Sequence, residues 1–170
     1  SLENLYLSST QWNYSWDARN PNPGETTHLY RFAFTSNGVE LKAQGDVPGR
    51  ILNQFSMDEN GSTRLTTGGT TFRVATTRSG IWRNDGQSPS SNNLYILNLS
   101  LEDVGQIEDI APGEQIYSVR FMGKRAYMVT FRTIDPFFVI DLSDSRNPKI
   151  LGQLKIPGFS DYLHPYDDTH

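Results

Sequence analysis

His28, His164 and His170 are the only side chains of this 170-residue chain that ordinarily titrate near neutral pH. Only His164 and His170 lie at a metal-ligand spacing, and a loose one, so catalytic zinc is not expected. Asp161, Asp167 and Asp168 flank His164. Carboxylates there could hold calcium or orient the imidazole for acid–base work, but no calcium-loop spacing accompanies them, so the segment reads as a solvated terminus. The chain has no cysteine, which removes disulfides, thiolate nucleophiles and thiolate metal sites. Serine is abundant, yet no Gly-x-Ser-x-Gly elbow occurs, so nucleophilic hydrolysis has no positive support. Asp141 and Asp144 belong to the run Asp141-Leu142-Ser143-Asp144-Ser145-Arg146-Asn147-Pro148. Its side chains close turns on their own backbone, which explains the two aspartates better than a cation site or a pair of glycosidase carboxylates does. Gly45 and Gly68-Gly69 sit in no Walker or dinucleotide pattern. No metal or cofactor is expected.

The groups that could do chemistry are therefore few, and the elements that would position them decide their meaning. Hydrophobic residues make up 36% and charged residues 20%, with a net charge of −4, the balance of an ordinary water-facing surface. Sequence-wide attraction to nucleic acid or anionic lipid is not expected. No apolar run approaches the roughly 18 residues of a membrane span, so no membrane insertion is expected in this segment. Ser1-Leu2-Glu3-Asn4 does not resemble a signal peptide, so any export signal would lie outside these residues. The length suits one domain or a piece of one.

Apolar residues alternate or cluster in short runs rich in β-branched and aromatic types, bounded by Gly, Pro, Asn and Asp. Such runs are Leu29 to Phe34, Val39 to Gln44, Ile51 to Met57, Phe72 to Thr77, Leu94 to Leu99, Ile116 to Met122, Ala126 to Phe131, Phe137 to Leu142 and Ile150 to Ile156. No long helical period appears, and the fold is expected to be all-β. Asn37-Gly38 and Gly123-Lys124 read as tight connections between antiparallel neighbours, because Asn and Gly tolerate positive φ. Trp12 to Thr26 and Ser79 to Asn93 read as long surface loops; Trp12, Trp16 and Trp82 are expected to fold back from them onto sheet edges, the alternative being an exposed aromatic contact.

An internal repeat organises these runs. Leu29-Tyr30-Arg31-Phe32-Ala33-Phe34, Leu94-Tyr95-Ile96-Leu97-Asn98-Leu99 and Phe137-Phe138-Val139-Ile140-Asp141-Leu142 are three versions of one strand. Each is followed by a turn, a second strand and a Pro-Gly: Pro48-Gly49, Pro112-Gly113 and Pro157-Gly158, which lie 64 and 45 residues apart. About 45 residues is the length of a four-stranded propeller blade. Residues 51–108 supply one blade and 115–156 another. Residues 1–47 supply three strands of a further blade, which a strand like 160–166 would complete. About three blades do not close a ring, so the chain is expected to be a partial ring or half of a homodimeric one. In such a fold the blade-opening strands border the channel. Aligning Phe55, Val119 and Leu163 makes Ser56, Arg120 and His164 equivalent, a polar ring that together with Asp161 could take an anion or a sugar.

Phe138-Val139-Ile140-Asp141-Leu142-Ser143-Asp144, followed by Asn147-Pro148-Lys149-Ile150-Leu151-Gly152 and Pro157-Gly158, resembles the repeat of LVIVD-type surface propellers of bacteria and archaea. Val47-Pro48-Gly49-Arg50, Asp109-Ile110-Ala111-Pro112-Gly113-Glu114, Tyr117-Ser118-Val119-Arg120-Phe121 and Ser160-Asp161-Tyr162-Leu163-His164-Pro165-Tyr166 are similar to the secreted C-terminal β-propeller domain family, distantly WD-like. The resemblance covers residues 27–170. It implies a propeller and an exported or cell-surface protein, and it brings no catalytic residues. The reading is a non-enzymatic module binding a protein or carbohydrate of the cell envelope through its loops or channel mouth. The alternative is a hydrolase or lyase at that mouth, using Arg120, His164 and Asp161.

Overall fold

The computed structural model describes residues 3–13, 24–61, 69–83, 86–131, 135–156 and 163–164. Its regular structure is almost entirely antiparallel sheet. Blade one consists of β1 (Asn4–Asn13), β2 (Gly24–Thr35) and β3 (Gly38–Pro48), paired in that order. Blade two begins with β4 (Met57–Asn60) and β5 (Thr71–Arg78). After a small hairpin, β6 (Ile81–Arg83) with β7 (Gly86–Ser88), it continues with β8 (Ser91–Leu97) and β9 (Asp103–Ile110). Its sheet order is β4-β5-β8-β9. Blade three is a plain meander of β10 (Gln115–Met122), β11 (Arg125–Phe131), β12 (Asp135–Asp141) and β13 (Lys149–Ile156).

Position in this stack explains the sequence of each strand. All of β8 and all but the last residue of β5 are buried, because a blade covers each of their faces. Strands sandwiched in this way lose the polar alternation of a half-exposed strand. The outer β9 mixes exposed and half-buried positions and buries only Ile110. The tight turns fall where the sequence places them, with Gly38 at φ +119° and Gly123 at φ +51°, both in the left-handed half of the map.

Two seams hold the blades together. Between blades one and two, Leu29 and Val47 pack on Phe72, Val74, Tyr95, Leu97 and Leu101. Between blades two and three, Ala75, Leu94, Ile96 and Ile110 meet Ile116, Val119, Ala126, Met128, Phe138 and Ile140. Tyr95 reaches the edge of its seam, where its hydroxyl donates to Glu108 at 2.9 Å. Burial first, and then that hydrogen bond, push its pKa far above the usual phenol range.

Three expectations need correction. The run from Ile51 to Met57 is not one strand: the chain makes a single bridge at Arg50, then a 3-10 turn over Gln54–Ser56, and enters β4 only at Met57. Asn53 caps that turn, accepting from the Phe55 N–H at 2.9 Å, and this local bond outcompetes extension. The stretch expected as a loop after Trp12 is shorter, because β1 runs on to Asn13 and β2 starts at Gly24, paired across Trp12 and Glu25. Trp12 lies on that ribbon with 48% of its surface exposed, rather than packed against a sheet edge; Trp16 and the Trp82 side chain lie outside the description. The stretch from Ser79 to Asn93 holds the β6–β7 hairpin. The strand expected at 160–166 lies outside the described residues, except for Leu163 and His164, which carry no strand pairing.

Candidate binding face

Antiparallel pairing sends one set of connections to one end of the blades. Asn13 pairs with Gly24, Thr26 with Pro48, Arg78 with Ser91, Asn92 with Ile110, Gln115 with Phe131 and Asp135 with Ile156. The segments 14–23 and 79–90 therefore leave from the same end as the Pro-Gly connectors that pass from one blade to the next. Loops carried on a rigid scaffold in this way are where binding proteins place recognition.

The two Pro-Gly pairs among the described residues, Pro48-Gly49 and Pro112-Gly113, each fasten to their own blade through the glycine N–H. The Gly49 N–H donates to the Glu25 carbonyl and the Gly113 N–H to the Ser90 carbonyl, both at 2.7 Å. Both glycines are left-handed, at φ +91° and +88°. Gly49 has a second constraint, since a Cβ there would stand 2.8 Å from the Thr77 carbonyl oxygen. Past Gly49 the chain is thrown across the seam, and Arg50 forms a two-way backbone bridge with Thr77 at 2.9 Å.

The side chain of Arg50 organises the face. Its Nη1 donates to Glu25 Oε1 and to Ser79 Oγ, both at 2.8 Å, and its Nη2 donates to Gln115 Oε1 at 3.0 Å. One residue from each of the three blades thus meets on this guanidinium. Glu25 is fully buried at its side chain, whereas Arg50 is 34% exposed. Glu25 also accepts from the Ser79 backbone N–H at 2.9 Å, so its charge is paired and hydrogen-bonded as a buried carboxylate requires. Beside this pair opens a cleft of about 260 Å³ lined by Arg50, Leu52, Thr77, Gln115, Ile116 and Tyr117. Leu52 is largely exposed at its rim. The lining offers a guanidinium edge, a primary amide, a phenol and an aliphatic wall, which suits a neutral hydrogen-bonding group better than a bare anion, because Glu25 already balances the charge of Arg50.

The expected polar ring is not assembled as the sequence suggested. Met57 lies opposite Val74, and Val119 opposite Met128, so Met57 is the counterpart of Val119 and Asp58 the counterpart of Arg120. Asp58 is paired with Arg73. Ser56 sits two residues off that register, buried in the 3-10 turn, with its hydroxyl accepting from the Asn53 N–H at 3.4 Å. Arg120 is nearly buried; its guanidinium carbon lies 3.3 Å from the centre of the Phe55 ring, and its Nε donates to the Leu163 carbonyl at 2.7 Å. A cation on an aromatic face with a backbone acceptor is a joint between elements. His164 follows Leu163 and is exposed, while Asp161 lies outside the described residues. Arg120 and the residue before His164 are thus brought together, and Ser56 is buried in the turn that also carries Phe55. Among the described residues, no cluster of three or more His, Asp or Glu has metal-binding geometry.

Sequence reasoning missed Arg50, Glu25, Gln115 and Tyr117. The available signal was the repeated Pro-Gly followed at once by a charged residue, Arg50 and Glu114.

These sheets, seams and connectors define a β-propeller segment, and a family model described as the β-propeller domain matches residues 1–170. The chain belongs to that family. It is 47% identical over 148 residues to an uncharacterized protein of Archaeoglobus fulgidus, a match covering 85% of this chain and 20% of that one. It is 50% identical over 145 residues to an uncharacterized protein of Methanocaldococcus jannaschii, covering 81% of this chain and 21% of the relative. The chain therefore spans about a fifth of the length of these relatives. No solved structure matches it.

Proposed function

We propose that this chain is part of an exported or cell-surface β-propeller that works as a non-enzymatic interaction module, taking a protein or carbohydrate of the cell envelope at the face built around Arg50. The observation that carries this reading is the cleft where Arg50, Gln115, Tyr117 and Leu52 converge at the end bearing the two long inter-strand segments. Arg50 is held there by the buried Glu25, and Gln115 by Arg50, so part of the lining is preorganised. The likeness of the 138–158 repeat to LVIVD-type propellers is what supports the surface location. The competing reading, a hydrolase or lyase at the channel mouth, needs the Arg120 guanidinium for a substrate. That group is already stacked on Phe55 and bonded to the Leu163 carbonyl, so the interaction reading is preferred.

The test is a chemical-shift titration of the isotope-labelled chain with two probes, oligosaccharides released from archaeal envelope glycans and short peptides from envelope proteins. Binding of either class should move the signals of Leu52, Gln115 and Tyr117 first. Gln115→Ala and Tyr117→Ala should each weaken it by about tenfold, the worth of one lost hydrogen bond or aromatic contact. Shifts confined to other surfaces, or an affinity that neither variant lowers, would refute this site.

A further inference from the structure

Hydrogen-bonding capacity in the cleft beside Arg50 is lopsided. Its acceptors are engaged within the chain. Thr77 Oγ1 accepts from the Ile116 N–H at 3.1 Å and donates to Asn92 Oδ1 at 2.8 Å, and the Thr77 carbonyl accepts from the Arg50 N–H at 2.9 Å. Ser79 Oγ, which accepts from Arg50, donates its own proton to Glu25 Oε1 at 3.2 Å. Gln115 Oε1 takes the Arg50 Nη2 proton, and since a guanidinium has no acceptor, that contact fixes which end of the Gln115 amide faces it.

The donors are left over. A guanidinium carries five N–H bonds. Arg50 engages both at Nη1 and one at Nη2, so its Nε–H and the second Nη2–H have no partner among the described residues. The Gln115 amide nitrogen, turned away from Arg50, adds its own pair. Around these donors the wall is apolar: Leu52 stands largely exposed at the rim, Ile116 is buried behind it, and the Tyr117 ring is set edge-to-face on Phe131 with centres 5.1 Å apart. Glu25 cancels the charge of Arg50, so the site has no excess positive charge with which to hold a free anion.

An occupant suited to this cleft brings acceptors and apolar surface, and no N–H or O–H that needs a partner. A sugar hydroxyl pairs each acceptor with a donor, and an ordinary peptide carries one N–H for each carbonyl. Proline alone among residues offers a carbonyl without an N–H, on a ring that buries well against aromatic and aliphatic side chains. A run of prolines holds the polyproline II helix, which has no internal hydrogen bonds, so its carbonyls stand free and it loses little conformational freedom on docking.

We propose that the cleft beside Arg50 takes a proline-rich segment of a partner protein in the polyproline II conformation. One carbonyl accepts from the Arg50 guanidinium and another from the Gln115 amide, with a proline ring against Tyr117 and Leu52. A cleft of about 260 Å³ has room for a short stretch of such a chain. The inference rests on the Arg50 face being a binding face, and it names the ligand of that face.

The test titrates the isotope-labelled chain with capped hexaproline, capped hexa-alanine and N,N′-diacetylchitobiose, following the Arg50 Nε–H and Gln115 side-chain amide signals. Hexaproline should move both signals and bind at least about tenfold more tightly than hexa-alanine, whose N–H groups meet no spare acceptor. Gln115→Glu keeps the shape and still accepts from Arg50 but loses both amide donors, and it should weaken hexaproline about tenfold. Gln115 is exposed, so that variant should melt within about a degree of the parent. Hexa-alanine binding as tightly as hexaproline, or hexaproline binding unchanged in Gln115→Glu, would overturn the proposal. So would diacetylchitobiose moving these signals while hexaproline does not, an outcome that leaves the face standing as a site for another ligand. If Leu52, Gln115 and Tyr117 stay still with every probe, the envelope oligosaccharides and peptides included, the binding face falls and this ligand with it.

Discussion

The two internal seams solve one packing problem with different chemistry. Between blades two and three the contact is broad and apolar, centred on Met128, Ile140, Leu94 and Ile96, all fully buried. Between blades one and two the apolar cluster is smaller, and polar side chains take up the remainder. Glu59 accepts from Asn4 Nδ2 at 2.8 Å and from the Tyr6 hydroxyl at 2.7 Å, while Arg31 Nη1 donates to Asn4 Oδ1 at 2.9 Å. Tyr6 also stacks on Phe72 with ring centres 4.0 Å apart. Its hydroxyl is held protonated well above the ordinary phenol range, by burial first and by Glu59 second. The apolar seam draws its strength from area removed from water, which is insensitive to direction. The polar seam fixes angle and register, and each of its bonds depends on a partner staying in place. The difference implies that blades two and three form the stable centre and that blade one is oriented on it.

The comparison breaks most visibly at Ile140. Ile140→Ala removes a fully buried side chain from the centre of the apolar seam and should cost about 2–5 kcal/mol in a urea titration. Glu59→Ala should cost less, about 1–3 kcal/mol, through the stranded Tyr6 hydroxyl and Asn4 amide, and should speed amide exchange in β1 more than in β11. If Glu59→Ala matched Ile140→Ala, or if exchange rose equally in all blades, the seams would not differ as described.

The smallest effect sharpens the picture at the turn that docks on Gly105. Bonds from the Ser143 hydroxyl and backbone N–H, with Arg125 nearby, hold Asp141 below its ordinary pKa; Asn147 first, then the Arg146 N–H, do the same for Asp144. A depressed folded pKa contributes stability above the unfolded value, and that contribution is lost as pH falls through the folded one. Acidification below about pH 4 should therefore loosen residues 142–148 before the β10–β11 hairpin, as followed by residue-resolved exchange. Simultaneous loosening of both would mean that these carboxylates do not steady the turn.

Much of the fold is readable along the chain, because the central strands of a blade advertise themselves. Leu94 to Leu97 is an apolar run since a blade covers each face, Phe137 to Ile140 repeats it with Phe138 and Ile140 in a seam, and Pro48-Gly49 and Pro112-Gly113 mark the passages between blades. The error at Ser56 came from reading Ile51 to Met57 as one strand. An apolar run has the same composition whether it extends or coils once under an Asn cap, and the cap at Asn53 moved the register by two residues. The channel ring inferred from that register failed with it at Ser56, although Arg120 does meet the segment that carries His164. Trp12 misled for a related reason, since a polar ribbon can pair beyond the point where its apolar pattern ends.

By itself the sequence determined the all-β class, the central strands of each blade, the tight turns at Asn37-Gly38 and Gly123-Lys124, and the blade-length repeat, because these follow from local alternation, backbone permissiveness at glycine and self-similarity. Only the tertiary structure decided that Arg50, Glu25, Ser79 and Gln115 meet on one face, that Gly45 and Gly105 are seats for a neighbour's backbone, and that the counterpart of Arg120 is Asp58. Those facts depend on pairings between residues as much as 65 positions apart, and no local pattern fixes which of many polar side chains a blade boundary will bring together.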